Sequence, residues 1–476
     1  MSEIKVNKIS PRTACGTTTL GDSGDTFTIP AGVTITNSGT AAGFGATGAA
    51  SWDTTVKTTG FTAVSGVGYF VNTTAGAITV TLPLSPAAGA VVAVSDYAGT
   101  ADTNAITIGR NGSNINGAAA DLIFAQENSA ITLVYVDGTQ GWKATDTSSL
   151  SDVELEPTYV TATGGTITES GDYKIHTFTG PGTFCVSALG NPIGGPNSVD
   201  YMVVAGGGSG SGSDNGVRGG AGGAGGFRES SGTATGSYTA SPLGACVSAL
   251  PVSVTGYPIT VGGGAPTPGP AVPINSPSGK GTSGSNSTFS TITSTGGGGG
   301  TTLSAGAAGT GGSGGGGGTS ADAAERAGAA GNTPPVSPAQ GFAGGNATPY
   351  TGAPLCSSGG GGGGATAVGA AGSGPTGGDG GAGATTSING TPTAFAGGGG
   401  GGGGVGNNGA GGAGGGGAGG ATDGGSGNDA GTAGTVNTGG GGGGGSARMN
   451  PAPSNPNVPG SAGGSGIVII RYKFQN

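Results

Sequence analysis

Along the first 200 residues, apolar side chains alternate with polar ones in short runs of period two, the signature of half-buried β-strands. Over residues 1–45 the runs are very short: Ile4 and Val6, then Phe27 and Ile29 in TFTIP, then Val33 and Ile35 in VTITN. Pieces of this size do not stand alone, so the pattern predicts β rungs that pair with copies of themselves or with another protein. Over residues 46–150 the runs lengthen. GAITVTLPL sets Ile78, Val80 and Leu82 on one face, AVVAVSDY follows a Pro-Ala-Ala-Gly turn, and AITIG and AITLVYVDG come next, with Trp142 just beyond. Strands separated by Asn, Gly and Asp turns predict a sandwich or barrel-like domain, and no helical stripe competes with them.

Residues 151–204 form a linker and a predicted hairpin, DYKIHTFTGPGTFCV, turning at Gly180, Pro181 and Gly182. VDYMVVAGGG then runs from a strand straight into glycine, and the closing GGSGIVIIRYKF runs from glycine into a strand. These two apolar strands bracket everything between them and are predicted partners in a sheet at the base of that region.

Between them composition changes the picture. The chain holds 119 glycines in 476 residues and only 8% charged residues, so burial of large apolar side chains cannot stabilise most of this region in the usual way. The glycines cluster at 296–300, 314–318, 359–364, 397–404 and 439–445. A flexible linker is the default reading of such runs. Collagen is excluded because no strict G-X-Y period exists, and a calcium-binding β-roll because GGDGGAGAT around Asp379 occurs once. A bundle of polyproline-II helices fits. Such a helix turns every three residues and points its amides and carbonyls outward, where neighbouring helices satisfy them only if no side chain intervenes. An enclosed rod is then all glycine, with Gly397, Gly400, Gly404, Gly439 and Gly445 as scaffold positions. A rod in an outer layer carries a side chain on its free face, as expected for GAGGAGGF before Arg228 and GAGGAGGGGAGGA from Gly409. The expected fold class is all-β with a glycine-rich polyproline-II helix bundle: N-terminal β rungs, a β-sandwich-like middle domain, and a polyproline-II sandwich over 205–476 closed by the C-terminal strand.

Turns between rods carry the chemistry that rods cannot: 209–217, 265–280, 322–350 and 446–459. The candidate contact residues there are Asp214, Asn215, Arg218, Lys280, Tyr350, Arg448, Met449, Asn450, Asn455 and Asn457. Counting rods outward from the base strand places 209–217 and 446–459 at the far end, with 265–280 beside them. A rigid, chemically blank scaffold that presents varied loops suits recognition.

A net charge of −9 argues against nucleic acid as a partner and disfavours docking on anionic membranes. MSEIKVNKIS lacks the basic-then-apolar pattern of a signal peptide, and no apolar run approaches membrane-spanning length. Cys15, Cys185, Cys246 and Cys356 form no CxxC pair and are expected to be free, partly buried thiols. Catalysis finds little support. LGDSGD at 20–25 echoes a serine-protease motif, but the sole histidine, His176, lies downstream of it in a predicted strand, the wrong order for that chemistry. GKGTS at 279–283 places glycine after Lys280 where a phosphate-binding loop needs Ser or Thr. Asp22 with Asp25, and Asp152, Glu154 and Glu156, read as solvated acids rather than a glycosidase pair. With one histidine, His-rich metal sites are excluded and no cofactor is expected. Tyr238, Tyr257, Phe289, Phe342 and Phe395 are expected to plug rod ends.

The opening MSEIKVNKISPRTACGTTTLGDSGDTFTIPAGVTITNSGTAAGFG resembles the start of tail fibre proteins of tailed bacteriophages that infect marine bacteria. YFVNTTAGAITVTLPLSPAAG through VYVDGTQGWKA looks like the β domain that follows in many of them. DYKIHTFTGPGTF, VDYMVVAGGG, GAGGAGGFRES and GSGIVIIRYKF are similar to glycine-rich tip modules and polyproline-II tip adhesins. The resemblance implies a non-enzymatic virion protein, a homotrimer attached to the phage tail or an adaptor by its N-terminus. Its glycine-rich end would bind a host outer-membrane protein or surface glycan. A structural fibre or capsid decoration with a rigid cap is the alternative, and a polysaccharide-degrading tailspike is a weaker one.

Overall fold

A computed structural model of the chain describes residues 50–145, 154–191, 193–213, 217–232, 238–244, 246–269, 279–302, 306–319, 326–348, 357–422, 429–447 and 458–475. The β rungs expected over 1–45 lie outside these residues. The described chain is all-β, with several sheets and no α-helix.

In the middle domain the chain alternates between two sheets as it advances. Ser51–Lys57, Val67–Val71 and Val91–Asp96 pair in parallel in one sheet. Phe61–Thr62, Ile78–Thr81 and Ile106–Gly109 pair in parallel in the other. Antiparallel strands then extend both sheets, among them Ala130–Asp137 in the first and Leu122–Phe124 in the second. Val92, Val94 and Leu133 from the first sheet meet Val80, Ile108 and Phe124 from the second in one core, which also encloses Trp142. The two-sheet core follows from the alternation, which fixes the face each side chain points to. The parallel winding does not, because period two says nothing of strand direction. Buried Asp96 ties the first sheet to its loops by accepting from the amides of Ala98 (3.3 Å), Ala101 (3.2 Å) and Asn128 (3.2 Å).

Two further sheets form the base of the glycine-rich region. One contains Gly182–Ala188, Gly256–Thr260 and Ser287–Phe289; the other contains Tyr173–Phe178, Ser198–Val204, Phe227–Glu229 and Ile467–Lys473. The bracketing strands do pair: Ile467–Lys473 lies antiparallel between Ser198–Val204 and Tyr173–Phe178, with Ile470 opposite both Tyr201 and His176. The predicted hairpin at Gly180 to Gly182 is not one. Tyr173–Phe178 and Gly182–Ala188 belong to different sheets, and the Gly-Pro-Gly turn carries the chain across the core, so that Phe178 and Phe184 are both buried in it. The true hairpin joins Thr166–Ser170 to Tyr173–Phe178 through Gly171, whose φ of 58° favours glycine.

His176 is buried in this core between the rings of Phe184 (5.1 Å) and Tyr472 (5.5 Å). Its Nδ1 lies 2.7 Å from the Gly164 carbonyl and its Nε2 3.2 Å from Tyr472 Oη. Burial lowers its pKa, opposed by the Gly164 carbonyl. Phe289 and Phe395 are buried in the packing at the base.

Above the base the chain runs out and back many times, and its backbone hydrogen bonds repeat every third residue. In 397–404 the amides of Gly397, Gly400 and Gly403 donate to the carbonyls of Gly414, Gly417 and Gly420. Those of Gly398 and Gly401 reach Gly381 and Gly378; those of Gly399 and Gly402 reach Gly222 and Gly219. Three different neighbours are thus served by three successive residues. The same three directions exclude side chains: a Cβ on Gly400 would lie 2.1 Å from the Gly409 carbonyl oxygen, on Gly401 2.2 Å from that of Gly359, and on Gly402 2.2 Å from that of Gly445. Gly439, at φ 72°, turns the chain at the base against Val204, and Gly445 ends the same segment with more room, its nearest neighbour 3.1 Å away.

The segment at 409–413 is outer, with Ala410 and Ala413 exposed, as expected. The segment at 219–226 is not: Ala221 and Ala224 are fully buried. Its Gly219, Gly220, Gly222 and Gly223 abut neighbouring carbonyls, and the third face has room for a methyl group.

Candidate functional site

The described flanks of several turns converge at the end of the region opposite the base sheets. Ser213 pairs with Val458, with an amide-to-carbonyl distance of 2.9 Å, and the Gly212 amide donates to the Gly279 carbonyl at 2.8 Å. The turns entered at 213, left at 279 and left at 458 therefore share one end. Arg218 pairs with Ser446, Asp429 pairs with Ser446 on its other side, and the Arg218 amide donates to Thr319 Oγ1 at 2.7 Å. The Ala347 amide reaches the Arg326 carbonyl at 2.9 Å, and Thr348 pairs with Ser358. The segment 322–350 is accordingly not a single loop. It leaves this end, returns to the base, where the Phe227 amide donates to the Gln340 carbonyl at 2.8 Å, and comes back.

Of the candidate contact residues, Asp214, Asn215, Tyr350, Arg448, Met449, Asn450, Asn455 and Asn457 lie outside the described residues. Lys280 is half-buried at the converging end, beside the Gly279 carbonyl that binds Gly212. Arg218 is at that end but has no exposed surface, so it is not a contact offered to solvent. Its Nη1 donates to the Ala447 carbonyl, and Thr319 returns a bond from its own amide to the Arg218 carbonyl at 3.0 Å. Among the described residues its Nε and Nη2 have no hydrogen-bond partner, and burial alone pulls its pKa down to about 10. Among the described residues, buried Ser213 Oγ and Thr422 Oγ1 at the same end also have no hydrogen-bond partner.

The three-residue spacing visible in the sequence puts Arg218 on one face with Ala221 and Ala224, and the structure shows that this face is buried. RGGAGGAGGF sets Arg218, Ala221, Ala224 and Phe227 three apart, and all four are buried. A period of three among non-glycine residues marks one face, so an arginine in phase with two buried alanines is an inward residue.

The base holds a second polar group of residues. Glu229 accepts from the Ser241 amide at 2.9 Å and from Thr386 Oγ1; burial raises its pKa and those bonds oppose the rise. Asp200 accepts from Ser230 Oγ at 2.7 Å, and the Arg471 guanidinium lies 4.7 Å from the Tyr173 ring and 5.6 Å from the Tyr238 ring. The adjoining cleft, with Glu229 and Arg228 on its wall, is far too small for an ordinary small-molecule ligand. Cys185 and Cys246 are free and exposed rather than partly buried, while Cys15 and Cys356 lie outside the described residues.

Residues 179–473, well over half of the chain, match the family described as a glycine-rich domain. The chain belongs to this glycine-rich domain family. No curated protein matches it. The family boundaries take in the Gly-Pro-Gly crossover, the segments bonded at period three and the C-terminal strand, while Thr166–Ser170 and Tyr173–Phe178 of the base sheet precede them.

Proposed function

We propose that the glycine segments are polyproline-II rods and that the domain they build is the tip of a phage tail fibre. The three-residue period of the hydrogen bonds and the blocking of three successive faces support the rods, since a helix of three residues per turn requires both. In this reading the N-terminal 45 residues hold the tail or an adaptor, the fibre is a homotrimer, and the far end meets a host outer-membrane protein or surface glycan. No step of catalysis is assigned to it.

The observation that carries the receptor role is the convergence of turn flanks at Ser213, Gly279, Ser446 and Val458 on one end, away from the sheets. A scaffold held by its own backbone leaves those turns free to vary. The test is adsorption of the whole chain to candidate host cells, with residues 448–457 exchanged for an unrelated sequence of equal length. Loss or change of host preference in a folded variant supports the adhesin; unchanged saturable binding, or none by the parent chain, favours a rigid structural cap.

A further inference from the structure

The outer face of the first sheet of the middle domain carries a pair of stacked rings. Trp52, on Ser51–Lys57, lies against Phe70, on Val67–Val71, with ring centroids 4.8 Å apart and planes 29° from parallel. Gly68 stands opposite Trp52 in the parallel register. A Cβ there would lie 2.8 Å from indole Cδ2, a ring-fusion atom that can be approached only through the face of the ring, so the indole lies flat over Gly68. Gly68 does not have the positive φ that demands glycine, so its missing side chain serves to make room for the ring. The positions across the strands from the pair are small or hydroxylic: Ala93 and Thr132 in the row of Trp52 and Gly68, Ser95 and Ala130 in the row of Phe70. None of these is charged, and the charges nearest in sequence, Asp53 and Lys57, hold each other at 2.9 Å.

Trp52 is 42% exposed, which leaves on the order of 100 Å² of aromatic surface bare. That falls far short of the about 800 Å² that a protein interface buries on each side. It suits one sugar ring, whose C–H groups pack on an aromatic face while its hydroxyls turn to polar neighbours. We propose that the Trp52–Phe70 stack is a saccharide-binding platform on the middle domain, taking the apolar face of a neutral sugar ring. Ser95 and Thr132 offer hydroxyls along the same face to that ring and the next. The indole is already laid flat by Gly68, so little side-chain freedom is lost when a sugar lands on it. The platform is separate from the turns at the far end of the glycine-rich domain and does not rest on their reading.

The experiment titrates the full-length chain with cellohexaose, maltohexaose and mannohexaose, and with hexagalacturonate as the charged control, by calorimetry and by acrylamide quenching of tryptophan fluorescence. The chain has two tryptophans and Trp142 is fully buried, so quenching reports Trp52. Acrylamide is expected to reach Trp52 in the free chain, and at least one neutral hexaose to suppress that quenching saturably. Trp52→Ala is expected to weaken the binding about tenfold or more. Gly68→Ala, which tilts the indole off the sheet, is expected to weaken it about threefold or more, and Trp52→Phe, which keeps a flat ring, to retain most of it. If Trp52→Ala does not fold, the contrast between Gly68→Ala and Trp52→Phe decides the same point. Trp52 shielded in the free chain, no saturable binding of any neutral hexaose, tighter binding of hexagalacturonate, or binding unchanged in Trp52→Ala and Gly68→Ala overturns the proposal. So does a lower oligomeric state of Trp52→Ala in sedimentation equilibrium, which would place the rings between copies of the chain.

Discussion

The His176 imidazole and the Tyr472 hydroxyl meet at 3.2 Å across 296 residues of sequence. The contact closes the base of the glycine-rich domain, because His176 lies on a strand before the glycine and Tyr472 on the strand after it.

His176 is held in its neutral form, since burial lowers its pKa from 6.5. A folded-state pKa below the unfolded one means that its contribution is full above about pH 6.5 and is lost as pH falls through the lowered value. The thermal midpoint of the parent chain is expected to fall between pH 7.5 and pH 5.5, and to fall less in His176→Phe, which keeps the ring packing. Parallel slopes for the two proteins would refute this.

Glu229 has the opposite sign. Its pKa is raised by burial above 4.5, so its contribution is full below about pH 4.5 and is lost as pH rises through the raised value. Glu229→Gln preserves an acceptor for Ser241 and removes the titration. Chemical denaturation at pH 4.5 and 7.5 is expected to show a smaller loss of stability with rising pH in this variant than in the parent.

Three glycines separate space from conformation. Gly400→Ala brings a Cβ to 2.1 Å from a carbonyl oxygen and is expected to cost about 3 kcal/mol or more, because backbone rather than a flexible side chain must move. Gly445→Ala, at 3.1 Å, is expected to cost about 1 kcal/mol. Gly263→Ala meets nothing within 4 Å and is expected to stay within about 0.5 kcal/mol of the parent. Equal midpoints in urea for all three would show that the close approaches do not constrain the fold.

In the middle domain, Asp96→Ala leaves the amides of Ala98, Ala101 and Asn128 without their acceptor. A loss of about 2 kcal/mol is expected by denaturant unfolding of the whole chain. A change under about 0.5 kcal/mol would mean that water replaces the carboxylate.

These sites were unequally legible. Ser198–Val204 and Ile467–Lys473 could be paired from the sequence because both are apolar strands that meet glycine from opposite sides. The crossover at Gly180 to Gly182 reads as a hairpin in the sequence, since Gly-Pro-Gly ends a strand without saying which sheet receives the next one. Arg218, beside the turn at 209–217, is expected as a contact residue, and its phase with Ala221 and Ala224 does not warn otherwise, because GAGGAGGF reads as the free face of an outer rod; only the structure shows all three buried. The partners of Gly397 to Gly403 were not legible at all: a run of identical residues carries no register, and neighbours as distant as Gly219 and Gly222 are fixed only by the whole assembly.

The place of Ile467–Lys473 between Tyr173–Phe178 and Ser198–Val204 sets an order of events during synthesis. The strand that completes the base sheet leaves the ribosome after every glycine segment that the sheet supports. Helical bundles can acquire structure as they emerge, but here the closing contacts span nearly the whole domain, and forming them carries the loop-closure entropy of several hundred residues. The base of the domain therefore closes only after the glycine segments have been made. Its maturation is expected to be slow and to fail in any chain that stops short of Ile467–Lys473.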